Sequence, residues 1–334
     1  MATRSNLEPE PASNERPPVT AGDHADAAPG PASRRAVTVG SFLVVIGAFL
    51  GDVIAGRKLY WRSDLSDYMY PLFYTWAECL RHWDFSSLLW NPHVLAGHPL
   101  LAEGQMGAFY SPNWLLLAVF SPPAAVSASL VLSYCFTLAV TFGFGRLLGM
   151  SRTAAFASGS VFAFGGFAAA HVIHANIVAG IPWLPVVLGL TEAGFRRRQP
   201  ALWLLAGFAW GAQWLAGHPQ VPVMTALLTA GLVAARALTV VSLGRRSIVA
   251  VVKPLILIVP AGIALAAVYL LPLVELGRLS VRAGGVMPYQ EATFASLDPR
   301  ALVTAILPFL YGGPEDWRGP PNAIARRRKG SRRG

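Results

Sequence analysis

Two carboxylates three residues apart, Asp64 and Asp67 in the stretch YWRSDLSDYMYP, are the groups in this chain best suited to do chemistry. On an α-helix that spacing sets both on one face. Carboxylates so close can share a divalent metal ion through oxygen ligands. Alternatively, one takes a proton from an acceptor while mutual repulsion holds the two in different ionisation states. The plainer reading is an exposed acidic turn paired with Arg62. Aromatic residues crowd the same stretch: Tyr60, Trp61, Tyr68, Tyr70, Phe73, Tyr74 and Trp76. Such a belt ordinarily marks a lipid interface, although flat rings at an interface also suit the faces of sugars.

The elements that must position these residues follow from composition. The 334 residues are 54% hydrophobic and 13% charged, with a mean hydropathy of +0.47. Soluble domains carry about 25% charged residues, and a soluble core cannot hide so much apolar surface. The composition therefore predicts an all-α integral membrane protein, a polytopic helix bundle whose first partner is the lipid bilayer. The net charge of +10 does not point to nucleic acid, because the basic residues fall in short clusters between apolar runs, as the positive-inside rule describes. Cys79 in a loop and Cys135 in an apolar run offer neither a disulfide nor a thiolate metal site.

Residues 1–33 are rich in Pro, Ala and charge and read as a disordered tail, with no signal-peptide core. Seven spans are expected near residues 36–56, 124–148, 154–172, 177–195, 200–216, 219–238 and 250–274, each compared with a bilayer core of about 30 Å. Connections at Arg146/Arg152, at Arg196 to Gln199 and at Gly244 to Ser247 are basic; those between them are poorer in Lys and Arg. That alternation sets the amino terminus in the cytoplasm and makes residues 57–123 a long extracytoplasmic loop. The segment Asn113 to Phe120 is too short to cross and is expected at the interface. The pentapeptide LAGHP, at Leu95 to Pro99 and again at Leu215 to Pro219, falls outside in both copies. The spacing fits no repeat array. Either each copy is a Gly-Pro turn that stops a helix at the membrane surface, or the two contribute to one polar rim.

Four further sites carry polar groups in or beside apolar runs. Asp52 lies inside the first span, where a carboxylate is costly unless it faces protein or water. Glu192 and Gln213 are the other polar residues noted within spans, and they form no string of charges for a relay. His171 and His174 share the three-residue spacing of the aspartates, but the sequence sets no acid beside them, so a packed or interfacial role is expected. The segment Gly180 to Pro185, GIPWLP, reads as a broken helix of the kind transporters use.

An ordered series of motifs resembles the bacterial YfhO-like membrane proteins. It comprises Asp64 followed by Tyr70-Pro71, then Trp90-Asn91-Pro92, Gly97-His98-Pro99 and Gln105-Met106-Gly107-Ala108-Phe109-Tyr110-Ser111-Pro112. Later come Gly217 to Gln220 and Glu275 to Gly285, so the resemblance covers about residues 36–313. It implies similarity to glycosyltransferases of the GT-C class in the bacterial cell membrane. Such enzymes take a sugar from a polyprenyl-phosphate carrier on the outer face, here for an envelope polymer or lipid-linked glycan acceptor.

On that resemblance Asp64 is the expected base and Asp67 its partner or metal ligand. Arg282, and less directly Arg278, would meet the phosphate, although both also suit snorkelling to headgroups. Asn91, His98, Gln105, His218 and Gln220 would contact sugar, and each also reads as a turn or interface residue. Two other classes stay open: a transporter or flippase of lipid-linked intermediates, and a non-catalytic envelope scaffold. Residues 276–313 are expected on the outer side. Beyond them the basic tail 314–334 departs from the family, whose members continue with further spans, so a truncated or frame-shifted product is expected.

Overall fold

The computed structural model describes residues 31–60, 63–94, 96–242 and 249–280. It also describes 283, 289, 293, 296, 298–307 and 309–312. The tail 1–30, the basic tail 314–334 and Arg282 lie outside these residues, as do Trp61 and Arg62. The protein is all-α, with no named strand among the described residues. Six stretches are long and apolar enough to cross a membrane: Ala36–Ile54, Pro122–Leu147, Arg152–Ala170, Ala175–Arg197, Gln220–Leu238 and Lys253–Leu279.

Helix α1 (Pro31–Ile54) starts inside the expected tail. The segment that follows is folded rather than looped: α2 (Tyr70–His82), α3 (Ser86–Leu89), α4 (Leu100–Glu103) and the nine-residue α5 (Ser111–Val119). Then come α6 (Pro122–Leu147), α7 (Arg152–Phe164), α8 (Gly166–Ala170), α9 (Ala175–Gly180), α10 (Trp183–Arg197), α11 (Pro200–Leu215), α12 (Gln220–Ser242) and α13 (Val249–Leu279). Two expected spans are therefore interrupted. The third is broken at Gly165, between α7 and α8. The fourth is broken at Ile181-Pro182, where proline has no N–H to continue the ladder.

Side-chain contacts fix the direction of each helix. Phe42 meets Phe142 and Phe156, while Phe49 stacks on Phe164, so α1 and α7 run together and α6 against them. Trp203 Nε1 donates to Thr191 O at 3.2 Å and Gln213 Nε2 to Gly180 O at 2.9 Å, which sets α11 antiparallel to α10. Gly207 lies against Ile258, and Trp214 beside Tyr269, so α13 runs parallel to α11. That contact is close because Gly207 and Gly211 are four apart. A Cβ on Gly207 would stand 2.5 Å from Ile258 O, and one on Gly211 2.9 Å from Gly262 O. Small residues at such spacing let backbones meet where lipid gives no hydrophobic drive to associate.

Helix α11 has 16 residues, about 24 Å at 1.5 Å per residue, and is shorter than the six spans. It nevertheless runs beside α10 from the arginine-rich end to the end that carries α2–α5. All seven long elements thus share two ends: a cap formed by the described residues of 57–121, and an opposite end bearing Arg146, Arg152 and Arg196 to Arg198.

The cap has its own core. Leu65, Tyr70, Phe73, Trp76, Leu88, Leu100 and Met106 are buried with Leu50 of α1 and Val126 and Leu130 of α6. The aromatic stretch is therefore mainly core rather than a lipid-facing belt; among its described members only Tyr74 is strongly exposed. Cys79 lies on α2 and is buried, and both cysteines are free.

Near the opposite end Glu192, fully buried, accepts from Arg236 Nε at 2.8 Å and from Arg236 Nη2. Arg196 Nε completes the pairing at 2.5 Å. A bidentate guanidinium matches a carboxylate in geometry as well as charge. Glu192→Ala is expected to cost about 3 kcal/mol, since it strands cations that a buried anion had neutralised. The side chain of Arg236 keeps 37% exposure, and that solvent screening holds the cost to the lower end. Thermal unfolding in detergent checks this, and Glu192→Ala combined with Arg236→Met should recover part of the loss.

Candidate functional site

Asp64 opens a five-residue π-helical stretch, Leu65–Met69, that leads directly into α2. The residue before it, Ser63, takes φ 51°, a left-handed conformation uncommon outside glycine and concentrated at functional sites. The i to i+5 bond of this stretch runs from Tyr70 N to Leu65 O, whereas Asp67 N donates to Ser63 O at 3.0 Å, an α-type turn across Asp64. The two carboxylates have different partners. Asp67 accepts from Ser66 Oγ at 2.8 Å. Asp64 Oδ1 accepts from Ser63 Oγ at 3.3 Å, and its Oδ2 lies 3.1 Å from His174 Nε2.

His174 comes from the turn between α8 and α9. His174 N donates to His171 O at 2.8 Å, closing the turn and bringing the two rings to 5.5 Å between centroids. His171 stacks on Phe167, and its Nδ1 is 2.8 Å from Phe167 O. His218, between α11 and α12, lies near enough to both for their charges to act on it. The acid that the sequence did not set beside these histidines is thus Asp64, 110 residues upstream of His174.

His171, His218 and Gln220 stand at one end of a cavity of about 800 Å³. Its remaining lining is largely apolar, from Val161, Phe162 and Phe167 on one side to Ile177, Ile181, Leu184, Val221 and Met224 on the other. Ser158 and Thr225 lie deeper along α7 and α12. Both helix interruptions face it, through Gly165, Gly166 and Ile181. The space therefore has a polar head at the cap end and a hydrocarbon-like body reaching into the span region.

The other expected contact residues are engaged elsewhere. Asn91 is buried, and its Oδ1 accepts from His93 N at 2.9 Å. Its backbone forms a two-way bridge with that of His98, at 2.9 and 3.0 Å. Gln105 belongs to a seam that fastens the cap to the helices. Its amide pairs with Glu103, and Asn176 Nδ2 donates to Gln105 O at 3.3 Å, Gln105 Oε1 at 3.4 Å and Gly217 O at 3.3 Å. Burial and the Glu103 carboxylate that hydrogen-bonds it push the Tyr68 phenol well up. Spacing gave no hint of Glu103 or Asn176.

The two LAGHP copies are both turns, with Gly97 at φ +124° and Gly217 at φ +94°. Their histidines have different settings, His98 in the bridge and His218 at the cavity. Asp52 pairs with Arg57 at 3.0 Å and Lys58 at 2.6 Å, at the end of α1. Arg278 is exposed in the last turn of α13.

Among the described residues no group of three or more His, Cys, Asp and Glu side chains converges to hold a metal ion. No chemical step here is routed through a metal ion. The chain matches no family model, no curated protein and no solved structure.

Burial first, then the charges of His174 and His171, hold the His218 imidazole below the ordinary histidine range. A group depressed in this way contributes stability above its unfolded-state range and loses it as pH falls, because the unfolded chain then binds the proton more readily. Thermal stability in detergent should decline from about pH 6.5 downward, and His218→Gln should flatten that decline. A variant that keeps the wild-type slope would contradict the assignment.

Proposed function

We propose that the chain is a membrane glycosyltransferase of the GT-C type, moving a sugar from a polyprenyl-phosphate carrier to a cell-envelope acceptor on the outer face of the bacterial cell membrane. One observation carries this reading: the Asp64–His174 pair adjoins His171 at the polar head of an apolar cavity of about 800 Å³. An isoprenoid phosphate has the same layout, a long hydrocarbon chain ending in a small anion. The cavity body suits the chain, while His171, His218 and Gln220 offer donors to the phosphate. That charge grows as the sugar leaves, and donors aimed at developing charge lower the barrier. The pair beside them is placed to take the acceptor's hydroxyl proton. The resemblance to YfhO-like proteins favours the same substrate class.

A flippase for such lipids is the second reading, favoured by the two helix interruptions that face the cavity, a feature of transport sites. Transfer needs only one compartment, so sugar transfer by detergent-solubilised protein supports the first reading and gradient-dependent movement in sealed vesicles the second.

Asp64→Asn should insert and fold like the wild type but lose about 10²-fold or more of sugar transfer. The check is a transfer assay on matched amounts of monodisperse protein. Undiminished transfer by the folded variant would remove Asp64 from the chemistry.

A further inference from the structure

We propose that His174 Nδ1, rather than the Asp64 carboxylate, receives the acceptor's proton, with Asp64 positioning the ring. The proposal rests on the transferase reading and names the base within that same site.

Tautomer and burial carry the argument. A ring nitrogen 3.1 Å from a carboxylate oxygen bears the proton, since two facing lone pairs would repel. His174 Nε2 is therefore an N–H, and in the neutral ring the lone pair falls on Nδ1. That Nδ1 is buried and has no hydrogen-bond partner. Within the histidine cluster it shares that state with His218 Nδ1, so the choice between them rests on their neighbours.

The neighbours sharpen the choice. His171 Nδ1 is already committed to Phe167 O at 2.8 Å. His218 Nδ1 is buried and unpartnered as well, but among the described residues that ring has no carboxylate in ion-pair range. Among the described residues His174 is the one of the three imidazoles with a carboxylate in ion-pair range, so it is where a positive charge is best compensated. Asp64, by contrast, already accepts on both oxygens, from Ser63 Oγ and from His174. A carboxylate that orients an imidazole and stabilises its protonated form without itself taking the proton is an arrangement known from hydrolytic triads.

In the step, the acceptor's O–H proton passes to His174 Nδ1 as its oxygen bonds to the sugar's anomeric carbon. The bond from that carbon to the phosphate oxygen breaks, and its electron pair leaves with the polyprenyl phosphate. Asp64 balances the resulting imidazolium, which returns the proton to water once product leaves. Asp64, His171 and His218 are the titratable groups gathered around His174, and their substitution variants define the background for any pH profile.

The test uses the full chain in detergent, with farnesyl-phosphoryl glucose, mannose and galactose as donor probes and envelope membranes as acceptor. It follows released farnesyl phosphate against pH. The wild-type rate should depend on the His174 ring at every pH tested. His174→Gly should fall about 10²-fold or more, and added imidazole should restore about a tenth of the lost rate or more; a merely structural role would not respond. Asp64→Asn should shift the remaining activity's acid limb to lower pH, because the imidazolium loses its counter-ion.

A wild-type limb near pH 4, the carboxylate range, together with near-normal activity in His174→Gln, would overturn the proposal and return the base role to Asp64. Absence of release by wild-type protein with all three probes would instead overturn the transferase reading and this step with it.

Discussion

The contact on which the rest of the molecule depends is the backbone seam between the cap and the helix ends. Gly217 lies so close to residues 104–107 that a Cβ there would stand 2.7 Å from Gly104 O and 2.9 Å from Gln105 O. With φ +94° the position also suits glycine on conformational grounds. Asn176, buried, spans the same junction from α9 and ties Gln105 to Gly217. Three distant parts of the chain are fixed there: the cap, the broken fourth span and the α11–α12 turn. Those same parts deliver Asp64, His174 and His218.

The two ends of the bundle use charge differently. At the arginine-rich end Glu192 is fully neutralised, gripped by Arg236 and Arg196, and that cluster acts as a structural clamp between α10 and α12. At the cap end the single carboxylate of Asp64 faces an imidazole and stays half exposed. Glu192 is held by two guanidiniums, whereas His174 has one partnered ring nitrogen and one without a partner.

Much of the scaffold was legible in the sequence, and for a plain reason. Long apolar runs punctuated by arginines can satisfy their backbone in lipid only as helices, so the spans follow from composition within a few residues. The interruption at Ile181-Pro182 was legible too, because GIPWLP announces it. Gly165 was not, since glycine is common throughout this chain. The cap was misread in part: the aromatic stretch suggested a lipid belt, yet Tyr70, Phe73 and Trp76 turn inward to make a core that no local pattern announces. The equal spacing of Asp64/Asp67 and of His171/His174 implied two like pairs. Tertiary packing instead joined one member of each across 110 residues. Spacing along a chain reports neighbours on one element and is blind to partners on two.

The shortness of α11 bears on what surrounds its end. At 16 residues it spans about 24 Å, against about 30 Å of hydrocarbon. Its cap-side half, residues 209–215, has no exposed residue and packs against α13 through Gly211, so protein rather than lipid surrounds the shortfall. A short inner helix ringed by longer spans leaves room at its end for the turn that carries His218.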